Sequence, residues 1–421
     1  MAPMRAIHAL KKFWQRLGPG FITGSSDDDP SGVATYAASG AAFGFGLLWM
    51  SWVTIPLMIA VQEMSARVGL VTGRGLIASV KNKIPVPLVH LSVLLLFFAN
   101  SINIGADIGA MADAITMLDG RLRFGAVAIA LTICCALLQV FVRYKFYVRY
   151  LKWLTLSLLS YIAVSFYIEL PVREILFETF LPAITFNRDT MLMITAILGT
   201  TISPYLLFWQ ASEEVEEEVA LGRQTVAQRR GVTKHEMADM RFDVSFGMIF
   251  SNVVMFFIIM TTAATLFGSG VVINTAADAA RALQPLAGEY AGVLFALGII
   301  GVGLLAVPIL AGSASYAVCE LFGWKSGLYR GWRSAPEFYA VIAIGTLLGL
   351  CVNFFGVSPM KALLWTAVLN GCVAPFTIML LLIAGNDKKI MGIQVNSAIS
   401  NIGGVLACVL LVGSILLYAL L

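Results

Sequence analysis

The run Gly24-Ser25-Ser26-Asp27-Asp28-Asp29-Pro30-Ser31-Gly32 falls in the middle of an otherwise apolar segment, residues 14–42. Three consecutive carboxylates cannot face lipid, where one charge at mid-bilayer costs at least about 2.5–3.5 kcal/mol on the gentlest scale. Pro30 has no N–H to donate and Gly32 tolerates unusual dihedrals, so a helix can unwind here and free its carbonyl oxygens. Unwound backbone survives at membrane depth only where it lines a cavity or is buried in protein. The opposing reading leaves Asp27 and Asp28 solvated at the mouth of a short helix; Asp29, directly before the proline, fits that least.

The rest of the chain supports a membrane setting. Of 421 residues, 59% are hydrophobic and only 12% charged, and the mean hydropathy is +0.86. Soluble domains, disordered chains and secreted disulfide scaffolds are excluded by these figures. The net charge of +4 is scattered in short clusters, which argues against a nucleic-acid surface. All six cysteines lie in apolar runs and read as buried small hydrophobes. The three histidines (His8, His90, His235) avoid the centres of those runs, so no cofactor such as haem is implied.

A spanning helix needs about 17–25 apolar residues. Eleven such runs occur, at 14–42, 46–67, 87–117, 123–142, 149–169, 190–213, 244–267, 289–319, 336–355, 361–384 and 396–421. With the N-terminus inside, every basic residue except Arg121, Arg123, Arg173, Arg188, Arg281 and Lys361 lies on the cytoplasmic side. That bias predicts a cytoplasmic N-terminus and, with an odd helix count, a C-terminus outside. Basic residues before the first run mimic a signal peptide, but no small-residue cleavage site follows and the segment is read as mature structure.

The sixth run carries the same fault as the first: Leu198-Gly199-Thr200-Thr201-Ile202-Ser203-Pro204-Tyr205. Alone it would read as a proline kink. Two interruptions five spans apart predict an all-α polytopic fold of two inverted five-helix repeats (about 14–169 and 190–384) plus an eleventh helix (about 396–421). The whole chain is then one transporter domain with a midplane site between its breaks. Asp29 offers that site a hard anionic oxygen, Thr200, Ser203 and freed carbonyls offer neutral ones, and neither break holds a basic residue. Such a donor set suits a hard cation with water completing its shell.

Three features now identify a resemblance: Gly18-Pro19-Gly20, the Asp29-Pro30 break, and Gln62-Glu63-Met64-Ser65-Ala66-Arg67-Val68-Gly69-Leu70-Val71-Thr72-Gly73-Arg74-Gly75-Leu76. Together they resemble the Nramp family of divalent-metal transporters over nearly the whole chain. The resemblance implies the LeuT-type fold and inward transport of a divalent metal ion. The family's Asp-Pro-Gly-Asn is here Asp29-Pro30-Ser31-Gly32, and its Met-Pro-His is Ser203-Pro204-Tyr205. Thr200 falls where an alanine lends its carbonyl; the glutamine of the tenth helix becomes Ala367, with Asn370 nearby. With the break and the resemblance taken together, the expected metal-site residues are Asp28, Asp29, Gly32, Thr200 and Ser203, with Tyr205, Asn103, Asn370 and Asp107 in the outer shell or pathway.

Loss of the soft thioether removes the main penalty against magnesium. Exchange of an amide for Gly32 is expected to leave volume for water, which Mg²⁺ keeps when bound. The chain therefore looks like the divergent magnesium-transporting branch; the competing reading is a drifted manganese transporter. Proton-coupled members carry an Asp and a Glu in the third helix. Aligned on Gly109, those positions are Asn103 and Ala106, although Asp107 and Asp113 lie close by.

Three further stretches draw attention. Glu213-Glu214-Val215-Glu216-Glu217-Glu218 reads either as a solvated helix end or as a trap for departing cations. Residues 143–149 (Arg-Tyr-Lys-Phe-Tyr-Val-Arg) read as an interfacial anchor, and Arg173–Phe180 as a short surface helix. The expected protein is a monomeric Mg²⁺ and Mn²⁺ facilitator of a bacterial inner membrane, not an enzyme. Its partners are the metal ion and the bilayer, without nucleic acid. The alternatives are a proton-coupled Mn²⁺/Fe²⁺ transporter of the Nramp type and an amino-acid or amine transporter of LeuT-type fold. A membrane-embedded enzyme would need a nucleophile beside a base, and no such constellation occurs.

Overall fold

Inside a bilayer every backbone N–H and C=O must find its partner within the protein, and a long apolar run does so by coiling. The computed structural model describes residues 17–142, 159–182, 184–270 and 272–421, and among these no strand occurs. Eight stretches are long and apolar enough to cross a membrane. The first expected span supplies two half-helices in addition, and Pro336–Val352 is a shorter apolar helix.

In chain order the α-helices of six residues or more are α1 (Pro19–Asp27), α2 (Pro30–Phe43), α3 (Met50–Thr72), α4 (Val86–Leu118), α5 (Phe124–Phe141) and α6 (Leu159–Val164). After the surface helix α7 (Val172–Phe180) come α8 (Arg188–Thr201), α9 (Pro204–Ala220) and α10 (Lys234–Leu266). The last four are α11 (Ala291–Phe322), α12 (Pro336–Val352), α13 (Pro359–Asn386) and α14 (Ala398–Leu420). Arg5, Lys11, Lys12, Arg16, the anchor at 143–149 and Lys152 lie outside the described residues.

Both breaks have one backbone signature. Asp28 closes α1 at φ −80°, ψ 52°, Asp29 is extended, and Pro30 opens α2. Ile202 closes α8 at φ −115°, ψ 55°, Ser203 is extended, and Pro204 opens α9. A residue before proline is pushed out of the α region, whereas proline at the first helical position sacrifices an N–H that has no partner anyway. The X-Pro pair alone is enough to write this geometry.

Packing follows an exchange of partners. The broken α1 and α2 lie on α10, and the broken α8 and α9 lie on α13 and α3; α4 runs against α11. α1 and α10 touch backbone to backbone, since a Cβ on Gly24 would come within 2.3 Å of the Gly247 carbonyl. Small residues permit such approach between membrane helices.

The Gln62–Leu76 stretch is architectural. Glu63 pairs with Arg67 and with Arg241 of α10 (3.0 Å), and it accepts a hydrogen bond from Ser400 of α14 (3.0 Å). Arg67 donates to the Val395 carbonyl at 2.6 Å, so α3, α10 and α14 are tied at one end. Gly73 closes α3 at φ +62°, a left-handed position where a side chain would be strained.

Two expectations are corrected. The acidic run after the sixth span is no solvated helix end: Glu213, Glu214 and Glu218 are buried. Glu214 accepts from Gln210 and Glu218 pairs with Arg223. Glu216 accepts from the Tyr316 hydroxyl (2.6 Å) and the Leu328 N–H (2.8 Å). Glu214 and Glu218 find local partners, but the donors to Glu216 come from α11 and the loop after it, which the run itself does not disclose. Of the six cysteines, Cys134 and Cys351 are exposed on outward faces of their helices.

Candidate metal site

Asp29 is first of all a helix cap. Its Oδ1 accepts from the Gly32 N–H (2.8 Å) and the Ser31 hydroxyl (2.6 Å), securing the first turn of α2. A carboxylate there also faces the positive end of the helix dipole. Its Oδ2 points across the break, where the Tyr205 hydroxyl donates at 3.0 Å and Asn103 Nδ2 lies at 3.4 Å. One side chain thus joins the first break, the sixth-span break and α4. Tyr205 also donates to the Ser26 carbonyl at 3.4 Å, in the last turn of α1.

Gly32 does not open the space expected of it. A Cβ there would sit 3.2 Å from both the Asp27 carbonyl oxygen and Thr200 Oγ1, and 3.4 Å from the Tyr36 ring. The absent side chain lets α2 close on the Asp27 carbonyl of α1 and the Thr200 hydroxyl of α8, whose oxygens line the junction. Ser203 turns its hydroxyl back along α8, donating to the carbonyls of Thr200 (2.7 Å) and Gly199 (3.0 Å). Its lone pairs remain, but part of the Thr200 carbonyl is engaged.

All the sequence-derived candidates are buried: Asp28, Asp29, Thr200 and Ser203 at 1% exposure, Asn103, Asp107, Tyr205 and Asn370 at 0%. Asp27 and Asp28 are therefore not solvated; Ser251 of α10 bridges them, at 2.7 Å and 3.3 Å. Each keeps one carboxylate oxygen without a hydrogen-bond partner, as do both oxygens of Asp107, Asn103 Oδ1, Thr200 Oγ1 and both amide atoms of Asn370. Buried polar atoms ordinarily pair, so a concentration of unpartnered oxygens marks a place suited to a cation and its water. Asp113, by contrast, accepts the Ala276 N–H (2.7 Å) and holds the segment that precedes α11.

Among the described residues no three His, Cys, Asp or Glu side chains converge on one point. A cation at the junction would draw on few carboxylates and on neutral oxygens, a hard donor set without sulfur or imidazole. Tyr36, Ser251 and Asp243 were not anticipated. Tyr36 stands four residues after Gly32, on the same helix face, which is the one signal that could have found it. Asp243 accepts from the N–H groups of Gly18 (2.8 Å), Gly20 (2.6 Å) and Phe21 (3.1 Å), fixing the start of α1 to α10.

Comparison with known proteins agrees with this geometry. The family model described as natural resistance-associated macrophage protein-like (Nramp) matches residues 20–420. The divalent metal cation transporter MntH of Caldanaerobacter subterraneus is 25% identical, covering 97% of this chain and 94% of its own. MntH of Pectobacterium carotovorum is 27% identical, covering 96% and 93%. The Eremococcus coleocola manganese transporter superimposes with a TM-score of 0.75 at 15% identity, over 97% of this chain and 87% of that one. Mhp1, a nucleobase-cation-symport-1 family transporter, does so at 0.52 and 11%, over 96% and 93%. The fold is the LeuT-type arrangement, and the chain belongs to the Nramp family.

Proposed function

We propose that this protein carries divalent metal ions across the membrane by alternating access, with the ion held where the two breaks meet. The observation that carries the reading is the buried junction of Asp29, Tyr205 and Asn103, surrounded by unpartnered oxygens. The relatives named above are divalent metal cation transporters, which supports the same reading. In this proposal Asp29 is the anionic ligand, with Asp28, Thr200, Ser203 and the carbonyls beside Gly32 contributing oxygens. Tyr205, Asn103, Asn370 and Asp107 orient them from outside.

Manganese is the ion that the likeness to a manganese transporter favours. The donor set, lacking a thioether, supports Mg²⁺ as a further and preferred cargo. Uncoupled transport is energetically sufficient for magnesium. A divalent ion gains about 4.6 kcal/mol from each 100 mV, roughly a thousandfold in concentration. Proton-coupled Mn²⁺ uptake, the reading closer to the named relatives, is favoured by one observation: Asp107 lies buried one turn from Asn103 with both oxygens unpartnered.

Proteoliposomes resolve these readings. Influx of Mg²⁺ and Mn²⁺, without leucine uptake, is the expected result; leucine uptake without metal uptake would overturn metal transport. A pH-sensitive dye inside the vesicles should show no metal-dependent acidification at fixed potential. Acidification that disappears in Asp107→Asn would establish the proton-coupled reading instead.

A further inference from the structure

We propose that the protein holds an anionic phospholipid at its basic end. The headgroup phosphate would occupy a polar cavity and one acyl chain an adjoining apolar groove. The site is separate from the metal junction and does not depend on which ion is carried.

The cavity, of about 430 Å³, lies between the turn after α3, the end of α9 and the loop joining α11 to α12. Five cations line it, Arg74, Lys81, Arg229, Lys325 and Arg330, against two carboxylates, Glu216 and Glu320. The carboxylates already serve the fold. Glu216 accepts from Tyr316 and the N–H groups of Leu328 and Tyr329, and Glu320 accepts from the Ala78 N–H at 3.0 Å. None of the five cations forms an ion pair among the described residues. Arg229 is itself buried, and among the described residues its bonds run to the carbonyls of Gly73, Arg223 and Gln224. A buried guanidinium without a counter-charge, beside four more cations, is an environment that an anion completes.

The groove points to a lipid as the anion's source. It encloses about 570 Å³ between the start of α4, the end of α11 and the start of α12. Leu91, Leu94, Phe322 and Ile344 line it and are 43–56% exposed. Among the described residues that line it, the ionisable ones are His90 and Glu337, the latter in the first turn of α12, where the helix dipole offsets its charge. Trp324 lines both spaces and stacks on Phe322 at 4.8 Å, so cavity and groove share a wall. A soluble phosphate would fill the first and leave the second exposed, whereas a phospholipid spans the two. Basic pockets between membrane helices attract anionic lipid on the side where Lys and Arg collect.

The test uses the full-length protein in mild detergent, offered equal amounts of phosphatidylglycerol and phosphatidylcholine with identical chains, and read by native mass spectrometry. Phosphatidylglycerol should be retained roughly tenfold or more over phosphatidylcholine. Lys325→Gln with Arg330→Gln should remove that preference, and Ala340→Trp, which fills the groove, should reduce retention of both lipids. Millimolar inorganic phosphate should not displace the bound lipid. Equal retention of the two lipids by the wild type would overturn the proposal, as would a preference that survives the double variant. Full displacement by phosphate would reassign the cavity to a soluble anion and overturn it too. Should the double variant aggregate, a photoactivatable phosphatidylglycerol keeps the question open to decision. Crosslinks within residues 90–97 and 337–344 support the site, and crosslinks elsewhere refute it.

Discussion

Asp29→Asn separates the two duties of that side chain. The amide oxygen can still accept from the Gly32 N–H and the Ser31 hydroxyl, as Oδ1 does now at 2.8 and 2.6 Å. The new amide nitrogen would face Tyr205, whose hydroxyl can accept, and Asn103, whose unpartnered Oδ1 can turn to meet it. Folding should therefore change little. Alanine instead removes the cap, which costs about 0.5–2 kcal/mol, and strands Gly32, Ser31, Tyr205 and Asn103 as well. Metal binding should respond in the opposite pattern. A unit charge 4 Å from another is worth about 4 kcal/mol at an effective dielectric of 20, hence about 8 for a divalent ion. Were desolvation to cancel three-quarters of that, about 2 kcal/mol would survive, roughly thirtyfold in affinity. Both variants should lose Mn²⁺ and Mg²⁺ influx in proteoliposomes, whereas only Asp29→Ala should melt distinctly earlier than wild type. Wild-type influx in Asp29→Asn would refute the site; equal melting temperatures for the two variants would refute the capping argument.

Ser203→Met places a thioether at the junction and should shift ion preference from Mg²⁺ toward Mn²⁺ or Cd²⁺ in calorimetric titration; an unchanged preference places selectivity elsewhere. Adding Gly32→Asn should undo the gain, because even a Cβ there meets Thr200 Oγ1 and the Asp27 carbonyl at 3.2 Å. Gly24→Val forces α1 away from Gly247 and should destabilise the protein by about 1–3 kcal/mol, seen as a lower melting temperature. Asp243→Ala releases three N–H groups at the start of α1, and hydrogen exchange at residues 18–22 should accelerate while exchange in α4 does not.

The helices were legible because a bilayer permits little else for a long apolar run, and both breaks were legible because Asp29-Pro30 and Ser203-Pro204 dictate local backbone. Asn103 and Tyr205 were placed near Asp29 through the resemblance, and the structure sets both beside its Oδ2. Ser251 and Asp243 stayed invisible, since a polar residue in an apolar helix does not announce which neighbour it faces. The glutamate run misled for a related reason: the donors to Glu216, Tyr316 and the Leu328 N–H, lie about a hundred residues downstream. At Gly32 the identity of the residue suggested room, yet the helices close on it, because a missing side chain invites approach as readily as it leaves a void.

That glutamate run bears on traffic at the basic end. Glu213, Glu214 and Glu218 are buried and Glu216 half-buried, with Glu217 alone exposed, so the charge an ion meets at the water surface there is chiefly that of the neighbouring arginines and lysines, which repel it. An ion approaching from that face is slowed by a repulsion that salt screens within about 8–10 Å. Raising ionic strength should accordingly quicken entry from the basic face. The difference between faces is one of speed only: surface charge alters how often an ion arrives and leaves, and it cannot move the concentration ratio at which net flow stops.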